Sequence, residues 1–104
     1  MNNPQEHEIS CRFRGELRRL GELKPLADGK CAVKFTVRCE PKGSTLLLEC
    51  RLFNQEARAF YGEARAGDTL LMEGSKLSAC SYVDASGEMR PVQNFIPETV
   101  VILD

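Results

Sequence analysis

Cationic side chains recur along the strand-like segments of this sequence and suggest a surface for an anionic ligand. They alternate with apolar residues, which turns most of them away from a core, at Arg12, Arg14, Lys34, Arg38, Lys42, Arg51 and Lys76. Cations on the outer face of a sheet are suited to contact the phosphates of a polynucleotide. Acidic residues such as Glu16, Glu40 and Glu49 lie between them. An ordinary solvated surface is therefore an equally good interpretation, and both stay open.

The cysteines are the second group with potential chemistry, at Cys11, Cys31, Cys39, Cys50 and Cys80. No two of them form a C-x-x-C pair, and the lone histidine, His7, lies near the N-terminus, so we expect no metal site and no cofactor. Four share the alternation of apolar neighbours, which favours buried, reduced thiols over a disulfide framework. No nucleophile has an oriented base beside it, so we expect a protein that is not an enzyme.

Length and charge limit the class of protein. The chain has 104 residues, a formal net charge of -1 and 42% hydrophobic residues. We expect a flexible N-terminus over 1–8 and one domain over 9–104. The balance of charge excludes a histone-like binder, although residues 1–40 carry eight Lys and Arg against six acids. The sequence shows no apolar run of membrane-spanning length and no secretory signal, so we expect a cytoplasmic protein without a membrane partner.

Alternation of apolar and polar residues predicts three strands in the first half of the chain. The first covers 9–14, and residues 16–26, which are charged with scattered leucines, either continue it or form an irregular crossing. Residues 27–30 contain an Asp-Gly pair that suits a tight turn. The second and third strands cover 31–39 and 45–53. In the second, the side chains expected in the core are Val33, Phe35 and Val37.

The second half changes period and then returns to strands. Apolar residues at helical spacing predict a helix over 55–66 that ends at Gly67. Residues 69–83 read as a fourth strand with a Gly-Ser bend, and 92–103 as a return strand interrupted by Pro97. This order predicts an all-β barrel of five strands in a Greek key, with one short helix between strands three and four. A six-stranded sandwich with one helix would give a similar pattern.

Several segments, in this order, resemble the bacterial single-stranded-DNA-binding protein family, and most closely its short, tailless primosomal replication protein N branch. The matching segments cover most of the chain. They are Phe13-Arg14-Gly15-Glu16-Leu17, Asp28-Gly29 followed by Val33-Lys34-Phe35-Thr36-Val37, Leu52-Phe53-Asn54, Arg65-Ala66-Gly67-Asp68-Thr69-Leu70-Leu71-Met72-Glu73-Gly74, and Tyr82-Val83-Asp84-Ala85-Ser86-Gly87.

The resemblance implies an OB-fold that binds single-stranded DNA, with RNA as an alternative ligand, in replication, recombination or primosome assembly. It also implies a homodimer or homotetramer and a partner among replication proteins. Phe53 and Tyr82 match positions on which bases stack, beside the basic strand face described above. Leu47 stands where the family usually has tryptophan, and leucine offers contact area without a π face.

Apolar residues on the outer face carry a second interpretation. Leu47 and Leu71 are candidates for a subunit or partner interface, because an apolar stripe on a barrel is usually covered by another chain. Phe53 and Tyr82 could equally be core or hairpin packing, and without the resemblance a core position is the favoured interpretation. The alternative function is therefore an OB-fold adaptor that contacts a protein and binds nucleic acid weakly or not at all.

Overall fold

The structure is a computed structural model that describes residues 10–40, 43, 45–83 and 85–103, with the backbone alone described for 79–82 and 89–91. The predicted flexible segment 1–8 lies outside the described residues. The elements are β1 (Cys11–Pro25), a 3-10 turn (Ala27–Gly29), β2 (Cys31–Cys39), β3 (Leu46–Phe53), α1 (Asn54–Glu63), β4 (Thr69–Gly74), β5 (Lys76–Val83), β6 (Met89–Ile96) and β7 (Thr99–Leu103). The prediction of one helix between the third and fourth strands is confirmed.

All described strands belong to one curled sheet, in the order β5-β6-β3-β2-β1-β4-β7. Its two ends are joined along the chain, because Ser75 alone separates β4 from β5, and Pro97 and Glu98 separate β6 from β7. The sheet must therefore curl until these ends meet. Strands four and five of the predicted barrel are each broken once, which accounts for seven strand segments where five strands were expected.

The two breaks lie against each other. The Glu98 amide donates to the Glu73 carbonyl at 2.8 Å, and the Ser75 hydroxyl lies 3.1 Å from the Glu98 carboxylate. A Cβ on Gly74 would lie 3.0 Å from the Glu98 nitrogen and 3.1 Å from the Ile96 carbonyl oxygen, so a side chain here would press on the backbone and the bend favours glycine. The predicted bend at Gly-Ser and the interruption at Pro97 are thus two sides of one corner in the barrel wall.

The first strand is long and bent, and it serves two partners. Cys11 to Glu16 pair with β4, whereas Glu16 to Pro25 pair with β2. The bend falls at Gly15, where an added Cβ would lie 2.6 Å from the Arg38 carbonyl oxygen. The segment 16–26, whose structure the sequence left open, is therefore mostly strand, and β1 ends at Pro25.

Alternate side chains of β2 and β3 fill the core. Val33, Phe35 and Val37 are 0–1% exposed, as predicted. The helix covers one end of the barrel through Phe60, whose ring centroid lies 4.4 Å from that of Phe35. Across the core, the Phe13 and Phe95 rings meet edge to face at 5.0 Å. This packing holds the sheet rigid enough to present a defined outer face.

The helix is shorter than predicted. It ends at Glu63, and Ala64 is extended and buried, with its amide donating to the Phe60 carbonyl at 2.8 Å. Burial of Ala64 turns the chain toward β1, where the Gly67 amide donates to the Leu17 carbonyl at 2.7 Å. Gly67, with φ 98°, therefore forms the following turn and is not the helix stop. Within the described residues, no helix has the length and hydropathy to span a membrane.

Candidate functional site

A groove of about 510 Å³ runs over the outer face of β1, β2 and β3. The register of the strands determines which side chains are neighbours in the groove, because cross-strand partners lie side by side on one face. Lys34 lies opposite Arg51, Ala32 opposite Phe53 and Thr36 opposite Glu49. The C-terminal half of β1 adds Arg19 beside Thr36 and Lys24 beside Ala32. The groove therefore has a charged middle and an end formed by apolar side chains.

Four cations line this groove: Arg19, Lys24, Lys34 and Arg51. All four are exposed, and within the described part of the chain none has a carboxylate within ion-pair distance. Three other arginines are paired instead, Arg12 with Glu73 at 2.7 Å, Arg18 with Glu16 at 3.0 Å and Arg38 with Glu40 at 2.9 Å. The four groove cations are thus available to an anionic ligand and lie together on one face.

The apolar end of the groove consists of Leu26, Ala32 and Phe53. Phe53 is 38% exposed and Leu26 is 47% exposed, which is a large apolar surface for residues so near the core. The Phe53 ring is therefore not a core side chain. Its exposure leaves a ring on which a planar ligand can stack.

The position of Phe53 is set by the residue after it. Asn54 has φ 55°, a left-handed conformation that asparagine tolerates better than most residues. Its side-chain oxygen accepts a hydrogen bond from the Cys31 amide at 3.3 Å, and the Cys31 thiol donates to the Asn54 carbonyl at 3.4 Å. These contacts end β3 directly after Phe53. On the far side of this corner, the Arg58 guanidinium donates to the Gly29 carbonyl at 3.0 Å.

Two carboxylates also line the groove, Glu22 and Glu49. Against the four cations they leave the groove with a net charge of +2, whereas the whole chain has -1. Glu49 is half-buried, and its Oε1 accepts a hydrogen bond from the Thr36 hydroxyl at 2.9 Å. The groove thus carries a net positive charge, which these two carboxylates reduce.

Sequence reasoning missed Arg19 and Lys24, and the cause is irregular pairing in β1. Register shifts occur between Leu17 and Arg19 and between Leu20 and Leu23, so the inward leucines recur every three residues. Such bulges hide the period of two by which a strand is recognised. Gly21 lies in the second irregular stretch, where a Cβ would lie 2.8 Å from the Lys34 carbonyl oxygen. In the sequence, these bulges were indicated by the spacing of three between successive leucines, together with the neighbouring glycine.

The structure brings only some of the predicted site residues together. Phe53, Lys34 and Arg51 line the groove. Arg12 and Arg14 lie on the half of β1 that pairs with β4, opposite Glu73 and Leu71. The remaining predicted cations are elsewhere or undescribed: Arg38 is half-buried at the opposite end of the β2–β3 pair, Lys76 is exposed at the start of β5, and Lys42 lies outside the described residues.

The predicted second aromatic and the predicted interface leucines have separate places. Tyr82 is a residue of β5, opposite Arg90 in the β5–β6 pair, and its side chain lies outside the described part of the chain. Leu47 is half-buried opposite Arg38, and Leu71 is half-buried opposite Arg14 and Val101. The two leucines therefore lie on different parts of the barrel wall.

The described cysteines are free thiols. Cys31, Cys39 and Cys50 are buried and Cys11 is half-buried, and the Cys80 side chain lies outside the description. Burial raises the pKa of the Cys39 thiol, and burial together with nearby Cys39 and Glu49 raises the pKa of the Cys50 thiol strongly. Among the described residues, no group of three or more His, Cys, Asp or Glu is placed to hold a metal ion.

Comparison with known proteins identifies the architecture. No family model matches the sequence, and no curated protein sequence matches it. The structure is similar to that of a small single-stranded DNA-binding protein from Streptomyces coelicolor, with a TM-score of 0.65 and 18% sequence identity over 92% of this chain and 94% of that chain. The chain has the OB-fold. At this level of identity the similarity establishes the fold, and the predicted fold class is confirmed.

Proposed function

We propose that this OB-fold protein binds single-stranded DNA in the groove over β1, β2 and β3. The observation that carries the proposal is the set of four unpaired cations beside the exposed ring of Phe53. Single strands bind such surfaces through phosphate contacts and stacking of bases on aromatic rings. The fold shared with a small single-stranded DNA-binding protein supports the same conclusion.

In the proposed mode of binding, the middle of the groove contacts phosphates and its apolar end contacts a base. Lys34 and Arg51, opposite each other in the middle, contact phosphates together with Arg19 and Lys24. A base stacks on Phe53 at the apolar end, worth about 1–3 kcal/mol. We propose Tyr82 as a second stacking residue, reached by a strand that extends past the groove.

The other predicted cations are proposed as contacts outside the groove. Arg12 and Arg38 would exchange their partners Glu73 and Glu40 for phosphates, which lowers their net contribution. Arg14, Lys42 and Lys76 complete this outer set. Because the whole chain has a net charge of -1, we expect affinity to depend on these local placements and to be moderate.

The test is a titration of a fluorescently labelled dT oligonucleotide at about 50 and about 200 mM salt. Binding that weakens as salt rises, because phosphate contacts release counterions, supports the proposal. No binding at the lower salt concentration would overturn it. An RNA oligonucleotide of the same length, run in parallel, distinguishes the two ligands.

A binding role, and not catalysis, is the activity that we assign to this chain. We place it in replication, recombination or primosome assembly in the cytoplasm, as a homodimer or homotetramer. Leu71 and Val101 favour the assembly, because they are register partners on the outer face of β4 and β7 and Val101 is 50% exposed. Leu47, half-buried on β3, is the second proposed interface residue. Light scattering of the native protein and of Leu71→Asp tests this assembly, and a native monomer would contradict it.

The same apolar patch supports the alternative function, an adaptor that contacts another protein. In that case Leu71→Asp abolishes binding to the partner while the groove variants have no effect. A native protein that binds no single strand but captures a replication protein through this patch would favour the adaptor.

A further inference from the structure

Phosphate binding leaves the two carboxylates of the groove unexplained, and Glu49, unlike the exposed Glu22, is half-buried. It places a carboxylate among the cations, and a negative charge there repels a polyanion. Its hydrogen bond from Thr36, at 2.9 Å, joins β2 to β3, but glutamine at this position would accept the same bond without the charge. The structure of the sheet therefore does not require an acid at 49.

We propose that Glu49 makes the groove select bases that carry an exocyclic amino group, cytosine before thymine or uracil. The inference rests on the proposed function, since it concerns the bases of a strand bound in that groove. Thr36 occupies one lone pair of Oε1, and within the described residues no cation is within ion-pair distance of Glu49. The carboxylate thus keeps acceptor capacity for a ligand in the groove.

The chemistry of the base edges explains the selection. A carboxylate only accepts hydrogen bonds, and cytosine presents the N4 amino group as a donor at the position where thymine presents the O4 carbonyl. The one donor on the pairing edge of thymine, N3–H, lies between two carbonyl oxygens that a carboxylate repels. A site built to accept a hydrogen bond discriminates against an isostere that cannot donate it.

The geometry of the groove places a base within reach of Glu49. Glu49 lies two residues before Arg51 and four before Phe53 on β3, so all three side chains point to the same face. A strand whose base stacks on Phe53 and whose phosphate contacts Arg51 continues along β3 toward Glu49. The hydrogen bond from Thr36 holds the carboxylate in place, which lowers the entropic cost of using it as an acceptor.

The experiment compares labelled dC and dT oligonucleotides of equal length by fluorescence anisotropy at one salt concentration and neutral pH. We expect the native protein to bind dC roughly fivefold more tightly than dT. Glu49→Gln keeps an acceptor for Thr36 and adds a donor, so it should bind both pyrimidines equally and bind dT more tightly than the native protein does. Glu63→Gln, on the helix, removes the same charge away from the groove and should keep the preference.

Each outcome decides between the two proposals. Equal binding of dC and dT by the native protein overturns the selectivity and leaves the proposed function standing. A dC preference that persists in Glu49→Gln, with a native thermal melt, assigns the selectivity to another residue and also overturns the inference. If neither oligonucleotide binds at low salt, the proposed function itself fails. The native comparison needs no variant, so it does not depend on how Glu49→Gln folds.

Discussion

Lys34 and Arg51 are direct register partners across the β2–β3 pair, on the exposed face of the sheet. Like charges directly opposite each other destabilise a strand pair, and within the described residues neither has a neutralising carboxylate at ion-pair distance. Two cations at paired positions lower the stability of the free protein. Such a pair is expected where a bound anionic ligand supplies the neutralising charge.

We predict that Lys34→Thr separates stability from binding. Removal of the like-charge contact should raise the free energy of unfolding by roughly 0.2–1 kcal/mol. The same change should weaken binding of a dT oligonucleotide and reduce the slope of log affinity against log salt by about 0.7, the value for one phosphate contact. Urea unfolding and titrations at several salt concentrations measure the two effects.

The control for this prediction is Arg65→Thr, which removes an exposed cation from the turn after the helix. It should change neither the salt slope nor the stability appreciably. Lower stability of Lys34→Thr with unchanged DNA binding would contradict the role of the pair.

We predict that Phe53 contributes to single-strand binding by stacking of its ring on a base and makes no electrostatic contribution. Phe53→Ala should weaken single-strand binding by about 1–3 kcal/mol and leave the salt slope as it is. Phe53→Leu retains apolar area without a π face and should restore only part of the loss. Anisotropy titrations of both variants at two salt concentrations provide the measurement.

Because Phe53 is 38% exposed, Phe53→Leu should leave the thermal melt close to that of the native protein, and Phe53→Ala should cost less than the roughly 3–5 kcal/mol of a fully buried phenylalanine. A large loss of stability would show that the ring acts mainly in packing. The same titration on Tyr82→Ala tests the second proposed stacking residue, and an unchanged affinity would remove Tyr82 from the site.

We predict opposite effects of alanine at two glycines. Gly15→Ala places a Cβ 2.6 Å from the Arg38 carbonyl oxygen and 2.7 Å from the Cys39 sulfur, so strands β1 and β2 must separate. We expect a loss of about 1–3 kcal/mol in the free energy of unfolding. Gly62→Ala, in the helix with nothing within 4 Å of the added Cβ, should gain roughly 0.5–1 kcal/mol.

Urea denaturation of the two glycine variants checks this prediction. Equal stability of Gly15→Ala and the native protein would mean that β1 is not held against β2 at the bend. The Gly62→Ala variant tests whether alanine at a helical position with free space around it stabilises the protein, as its higher helix propensity predicts.

We predict that the buried thiols are unreactive in the folded protein. Burial raises the pKa of Cys39 and of Cys50, so both stay protonated at pH values where an exposed thiol ionises. An aromatic disulfide reagent at pH about 8 should label them only after addition of urea. Rapid labelling of Cys39 or Cys50 in the folded state, followed by mass spectrometry of peptides, would contradict this.

The same shifts set the sign of a pH dependence. A raised thiol pKa in the folded state means that the unfolded chain releases protons more readily. The contribution of Cys39 and Cys50 is therefore constant below about 8.5, the ordinary thiol pKa, and is lost as pH rises above it. Unfolding at neutral and at alkaline pH should show stability falling on the alkaline side, less steeply in Cys50→Ala.

Local patterns in the sequence predicted the regular parts of this protein well. β2 runs from Cys31 to Cys39 with Val33, Phe35 and Val37 buried, because strict alternation allows only one register against a core. The bend at Gly74 and the interruption at Pro97 were each predicted from single residues, because glycine has no side chain and proline fixes its own φ. These features depend on residues that are close together in the sequence, so the local pattern is sufficient to predict them.

Tertiary structure alone decided which charges share a face. Arg12 and Lys34 both alternate with apolar residues, yet they have different neighbours. Arg12 lies opposite Glu73 of β4, which neutralises it, whereas Lys34 lies opposite Arg51 of β3. The bulges in β1 add Arg19 and Lys24 to the groove. Pairing between distant strands determines these neighbours, and the period of a single strand carries no information about its partner.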